Sequence, residues 1–275
     1  MKNQNLSPME DSKLHRQKRL LFNKCANDYS ATAPYQIPVG QSPVVYVPNV
    51  TLHSPYSTCS WDPYSYPSNP EQVCPTGSQI VLTTFVPLIL DPILTANAKL
   101  AQTSIQYDVD DSSTITQLQS LITLHSTLNY FTCYSDQEIN TIKQVLANYQ
   151  WSSFEITIKN VSCGTDTVQT YIVADVDQTS SNKMWNFVHG LESAIQTAGV
   201  TIKQPRIEKF HMTLANVKYQ YPADCMVKKL NQKFLLSNQF GSVKACCFGV
   251  LGSNGDIGIH FAQDCSEAEK LTCAR

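Results

Sequence analysis

The chain has no surplus of charge of either sign, no long apolar run and no Cys-x-x-Cys pair. Each absence removes a class of protein. A formal net charge of -2 over 275 residues is wrong for a protein that coats duplex nucleic acid through its phosphates, although it leaves room for a small basic pocket holding one phosphate. No stretch approaches the ~20 apolar residues of a membrane span, so no membrane partner is expected. Near the first residue, Leu20-Leu21-Phe22 is the sole apolar run, too short for the h-region of a secretory signal. Without Cys-x-x-Cys, a zinc ribbon or a thioredoxin-like site is not expected.

What is present begins with a 42% apolar share, enough for a sizeable core, and ten cysteines. An even, high cysteine count suggests disulfides and an oxidising compartment. Asn5, Asn49 and Asn160 open Asn-x-Ser/Thr triplets compatible with secretion. The missing h-region favours the cytoplasm, and secretion stands as the alternative.

Along the chain the composition changes twice. Residues 1–28 are polar and basic, with Lys13, Arg16, Lys18 and Arg19 close together, as a solvated terminus would be. Residues 29–77 are dense in Pro, Tyr and Ser, which forbids long helices and central strands. Residues 1–77 are therefore an N-terminal arm, 78–262 the folded domain and 263–275 a C-terminal tail. Within the domain, strands are expected at 80–85, 123–131, 154–161, 170–176 and 207–217. Helices are expected after Asp91-Pro92, after the capping box Ser135 to Glu138, from Met184 to the stop at Gly199, and over 223–236. A hairpin of 242–251 and 257–261 closes the domain, turning at Gly252, Asn254 and Gly255. This order suits an α+β fold.

The informative feature is a repeated tetrad. His125-Ser126-Thr127-Leu128 and His211-Met212-Thr213-Leu214 both read His-x-Thr-Leu, and roughly one chain per thousand of this composition would carry two by chance. Both sit in predicted strands. Side chains two apart in a strand share a face, so His125 joins Thr127 and His211 joins Thr213. The opposite faces, Ile122, Leu124 and Leu128 in one strand and Phe210, Met212 and Leu214 in the other, are core faces. Two such strands side by side present two imidazoles and two hydroxyls. One neutral imidazole can take a proton from an attacking water or 2′-hydroxyl, and one imidazolium can give a proton to the leaving oxygen. The hydroxyls can hydrogen-bond the non-bridging oxygens, where charge builds up. This set needs no metal and no other cofactor. His-x-His is absent, and Thr at i+2 is not a usual zinc ligand partner. His53, His189 and His260 are read as structural, and His15 lies on the polar terminus.

The two tetrads resemble the signature of the 2H phosphoesterase superfamily, over roughly residues 78–262. That family includes bacterial 2′-5′ RNA ligase-like proteins, cyclic phosphodiesterases, RNA-trimming enzymes and 2′,5′-oligoadenylate phosphodiesterases. The resemblance implies two pseudo-symmetric lobes of antiparallel sheet with outer helices and a central groove. It implies catalytic roles for His125 and His211 and phosphate binding by Thr127 and Thr213. The expected activity is metal-independent phosphodiester cleavage of 2′,3′-cyclic phosphates or 2′-5′ linkages in nucleotides or short single-stranded RNA, by a monomer. The alternative is a catalytically silent module of the same fold that binds nucleotide or RNA ends. Lys209, on the face of His211, and Tyr130 and Tyr219, after the two motifs, are further substrate-contact candidates. Polar Ser126 departs from the apolar residue usual at that place, and the Pro/Tyr-rich arm has no evident counterpart in the family.

Overall fold

The computed structural model describes residue 59 and residues 80–275, apart from 89–90, 110–111, 166–168, 204–206, 208, 219–220, 222, 235–239, 253–256 and 274–275. The basic terminus, the arm apart from Cys59, Tyr219 and the turn at Asn254 and Gly255 lie outside the described residues. The elements below all belong to the unit Thr58–Arg275.

In chain order they are β1 (Ile80–Pro87), α1 (Pro92–Asp108), β2 (Ile115–Leu118), β3 (His125–Tyr134), α2 (Asp136–Asn148), β4 (Phe154–Thr165), β5 (Gln169–Val176), α3 (Gln178–Thr197), β6 (His211–Lys218), α4 (Ala223–Phe234), β7 (Gly241–Ala245), β8 (Cys247–Leu251), β9 (Ile257–Phe261) and α5 (Glu267–Cys273). Two antiparallel sheets result. One has the order β3-β1-β8-β9, the other β2-β6-β5-β4-β7. The fold is α+β, with two sheet lobes as expected.

The helices begin where local chemistry starts them. The Asp91 carboxylate accepts from the Leu94 N–H, with Pro92 in the first turn, a position that needs no N–H. Ser135 and Glu138 form the reciprocal capping box of α2. Asp177 caps α3, and the chain leaves that helix through Gly199 at φ +87°, a conformation that favours glycine. Leu94, Ala98, Ala101 and Ile105 of α1 and Met184, Val188, Leu191 and Ile195 of α3 are buried at helical spacing. Trp151, Phe154, Phe187 and Phe248 meet in an aromatic cluster that joins α3 to both sheets.

Four expectations need correction. Residues 242–251 do not form one strand. β7 pairs with β4 in the five-stranded sheet and β8 with β1 in the four-stranded one, so the chain changes sheets at Cys246. Ile122 does not face the core. It sits in a short 3-10 turn, Leu121–Thr123, and is 79% exposed. A short strand, β2, pairs with β6 where the sequence showed no strand signal. Residues 263–275 contain α5, which a Cys247–Cys273 disulfide ties to β8.

Cys59–Cys163 and Cys246–Cys265 are also bonded, and every cysteine among the described residues is in a disulfide. An oxidising compartment sustains that state.

Candidate functional site

His125 opens β3 and His211 opens β6, strands of different sheets that lie against each other. Burial runs identically down both strands. The His is half-buried, the next residue buried, the Thr half-buried and the Leu buried. The alternation read from the sequence therefore holds through each tetrad, and Ser126 and Met212 point inward. The Ser126 hydroxyl is buried without a hydrogen-bond partner among the described residues, an unsatisfied group where the other motif has an apolar Met.

Immediately after each threonine the register slips. Phe85 pairs with Thr127 and Thr84 with Asn129, so Leu128 is an extra residue against β1. Val173 pairs with Thr213 and Ile172 with Ala215, so Leu214 is an extra residue against β5. Both tetrads thus end in a β-bulge at the same place, a device that re-aims the side chains that follow. Strict alternation would put Tyr130 in the core and Phe131 on the half-buried face of His125 and Thr127. The bulge reverses this: Tyr130 is half-buried on the face of His125 and Thr127, and Phe131 is 1% exposed.

Each bulge is held by a buried polar side chain from a helix. The Asn129 amide donates to Glu192 of α3 at 3.2 Å, while its oxygen accepts from the Tyr130 N–H at 2.8 Å. Gln102 of α1 donates to the carbonyls of Leu214 at 2.9 Å and Gln119 at 2.6 Å.

The imidazoles are fixed alike. His125 Nδ1 lies 2.8 Å from the carbonyl of Thr123, and His211 Nδ1 lies 3.0 Å from the carbonyl of Lys209. A carbonyl oxygen can only accept, so each Nδ1 bears the proton, and in the neutral ring Nε2 carries the lone pair. Each histidine therefore offers Nε2 for proton transfer. His211 is the more enclosed. Burial, together with the charges of Lys209 and His125, lowers its pKa to about 4, against an opposing contribution from the Lys209 carbonyl. The two imidazoles are thus close enough for the charge on one to act on the other.

Around this pair the neighbouring strands supply groups that the sequence did not single out. The Phe85 ring meets His125 edge-on at 5.5 Å. It lies over Gly249 of β8, where any side chain would collide with it, so this glycine keeps the ring beside the histidine. On the other strand Asp175 pairs directly across from His211. Its carboxylate accepts from Ser162 Oγ and from the Lys209 ammonium, each at 2.7 Å. Burial raises the Asp175 pKa, opposed by Lys209 and Ser162. Lys209, expected near a phosphate, is thus engaged by a carboxylate. A lone acid within the apolar run Tyr171 to Val176 was the available signal for Asp175. Ser162, Phe85 and Gly249 gave none. His189 stacks on Trp185, and His260 packs against Phe248.

No protein-family model and no curated protein matches the chain. Among solved structures it is similar to E. coli LigT in apo form, at 10% identity over 68% of this chain and 96% of that chain, with a TM-score of 0.42. It is similar to Kluyveromyces marxianus Usb1 with uridine monophosphate, at 11% identity over 65% of this chain and 97% of that one, TM-score 0.45. It is also similar to TT0787 of Thermus thermophilus, at 15% identity over 66% and 94% of the two chains, TM-score 0.44.

Proposed function

We propose that the chain is a metal-independent phosphodiesterase that opens 2′,3′-cyclic phosphates or cleaves 2′-5′ linkages in nucleotides or short RNA. The observation that carries this reading is the duplicated local geometry of the two motifs: imidazole anchored through Nδ1, threonine on the same face, bulge immediately after, one copy from each sheet.

In hydrolysis of a cyclic phosphate, the Nε2 lone pair of one histidine takes a proton from water as its oxygen bonds to phosphorus. The bond from phosphorus to one ribose oxygen breaks, and the Nε2 proton of the other histidine passes to that oxygen. The product is a phosphomonoester, and the proton balance is even across the pair. Thr127 and Thr213 donate to the non-bridging oxygens as negative charge accumulates there. Phe85 offers an aromatic ring beside His125, and Tyr130 offers another further along the same face of β3, on which a base can stack.

The test is a panel of 2′,3′-cyclic mononucleotides, 2′-5′ oligoadenylate and RNA with cyclic ends, each assayed with and without EDTA. Turnover of one substrate class, insensitive to EDTA, is expected. Tight binding of every class without turnover supports the silent-module alternative instead, and activity lost to EDTA and regained with zinc or manganese overturns the mechanism.

A further inference from the structure

Of the three Asn-x-Ser/Thr triplets, those at Asn5 and Asn49 lie outside the described residues, and Asn160-Val161-Ser162 falls in β4. Such a triplet has chemical meaning only where its asparagine stands free on the surface. Several asparagines of this fold are engaged instead. The Asn97 amide donates to the carbonyl of Phe240, the Asn129 amide to Glu192 and the Asn231 amide to the carbonyl of Val161. Asn160 is exposed, and its amide makes no hydrogen bond among the described residues.

Two features of the sheet open this position. β7 pairs with β4 only from Phe154 to Ile158, so at Lys159 the strand has passed the end of its outer neighbour. The β4–β5 register also slips there. Ile158 pairs with Val176 and Val161 with Ala174, so Lys159 and Asn160 together stand opposite Asp175 as a bulge. The residues around Asn160 are held. Lys159 is paired with Asp177 at 3.3 Å. Val161 is buried, and Asn231 of α4 takes its N–H and its carbonyl, each at 2.8 Å. Ser162 donates to Asp175. A group attached at Asn160 therefore breaks no contact.

A second observation is independent of the triplet. Every cysteine among the described residues is in a disulfide, and the Cys59–Cys163 bond holds the residue that directly follows Ser162. Disulfides form and persist along the eukaryotic secretory route, where asparagine in this triplet is glycosylated.

We propose that Asn160 carries an N-linked glycan. Its Nδ2 bonds to the anomeric carbon of an oligosaccharide borne on a lipid pyrophosphate. The bond from that carbon to the pyrophosphate oxygen breaks, one amide proton is lost to solvent, and the lipid pyrophosphate departs. Asn160 and Ser162 share a side of β4, and Ser162 meets the Asp175–Lys209 pair. Asp175 stands across from His211, so the glycan is rooted two strands away from that histidine, about 10 Å in strand spacings. There it covers with hydrophilic bulk a length of strand edge that β7 leaves open to pairing with another chain.

The experiment is mass analysis of the protein purified from its own source, before and after peptide N-glycosidase in heavy-oxygen water. That enzyme turns a glycosylated asparagine into a labelled aspartate. The intact mass should fall by the mass of the sugars, and the label should sit at residue 160. Release should proceed on the native protein, because the residue is exposed. Asn160→Gln, secreted from cultured eukaryotic cells beside wild type, should be lighter by one glycan. An unlabelled peptide at residue 160 overturns the proposal. So does a label confined to Asn5 or Asn49, or an Asn160→Gln chain that keeps every glycan of the wild type.

Discussion

His125 and His211 each have one task in the proposed reaction, so each should be indispensable to it. His125→Ala and His211→Ala are expected to lower the rate by about 10²–10⁴, the worth of one positioned acid or base. Thr127→Ala and Thr213→Ala should lower it less, since each removes one hydrogen-bond donor while proton transfer remains. Effects in the double histidine variant should fall short of the product of the singles. Rates on one cleaved substrate, with folding checked by circular dichroism, decide this, and near-wild-type turnover by either folded histidine variant would sink the mechanism. His211 also bears on stability. Its folded pKa of about 4 lies below the ~6.5 of an unfolded imidazole. Between those values the unfolded chain binds a proton that the native site refuses, so stability must fall as the pH drops through that window. His211→Gln should lose less urea resistance than wild type between pH 6.5 and pH 4.5. The four motif residues were legible because their spacing is local. Asp175 was not, because what matters is its position across the ladder from His211, and register between strands is set by the whole sheet.

Capping explains why the helix starts were legible and several strand ends were not. A helix start is written in four or five consecutive residues, as at Asp91-Pro92 and Ser135 to Glu138. A bulge is written in the partner strand. Nothing in Leu128-Asn129 or Leu214-Ala215 announces an extra residue, yet the bulge in β3 decides that Tyr130 and not Phe131 shares the half-buried face of His125 and Thr127. Likewise the unbroken apolar run through Cys246 and Cys247 concealed a change of sheet. The helix side chains behind the bulges should therefore be sensitive positions. Glu192→Leu withdraws a buried acceptor from the Asn129 amide, and leaving such a group unsatisfied costs about 1–3 kcal/mol. Urea unfolding should report a loss of that size. A stability equal to wild type would mean that Asn129 finds another partner at no cost.

Taken whole, the domain is held by covalent links as well as by its core. Cys59–Cys163 spans a sequence separation of 104, and closing a loop of that length restricts the unfolded chain strongly. Reduction under native conditions should lower the thermal midpoint clearly, with removal of one native disulfide worth about 2–5 kcal/mol. A midpoint unchanged by complete reduction, verified by thiol titration, would contradict that role. The α+β class was legible from the order of elements and the two lobes from the resemblance that the tetrads carry, whereas the pairing of ten cysteines was not, since connectivity is a property of the folded chain.

The change of sheet at Cys246 has a mechanical meaning. One residue separates the last strand of the five-stranded lobe from the strand that enters the four-stranded one. That residue and the next are both bolted to the C-terminal segment, through Cys265 and Cys273. A joint so short and doubly pinned leaves this connection little slack for opening the lobes like a clamshell. For the proposed reaction the consequence is a substrate gap of set width, which molecules enter and leave by diffusion and not by the opening of a jaw.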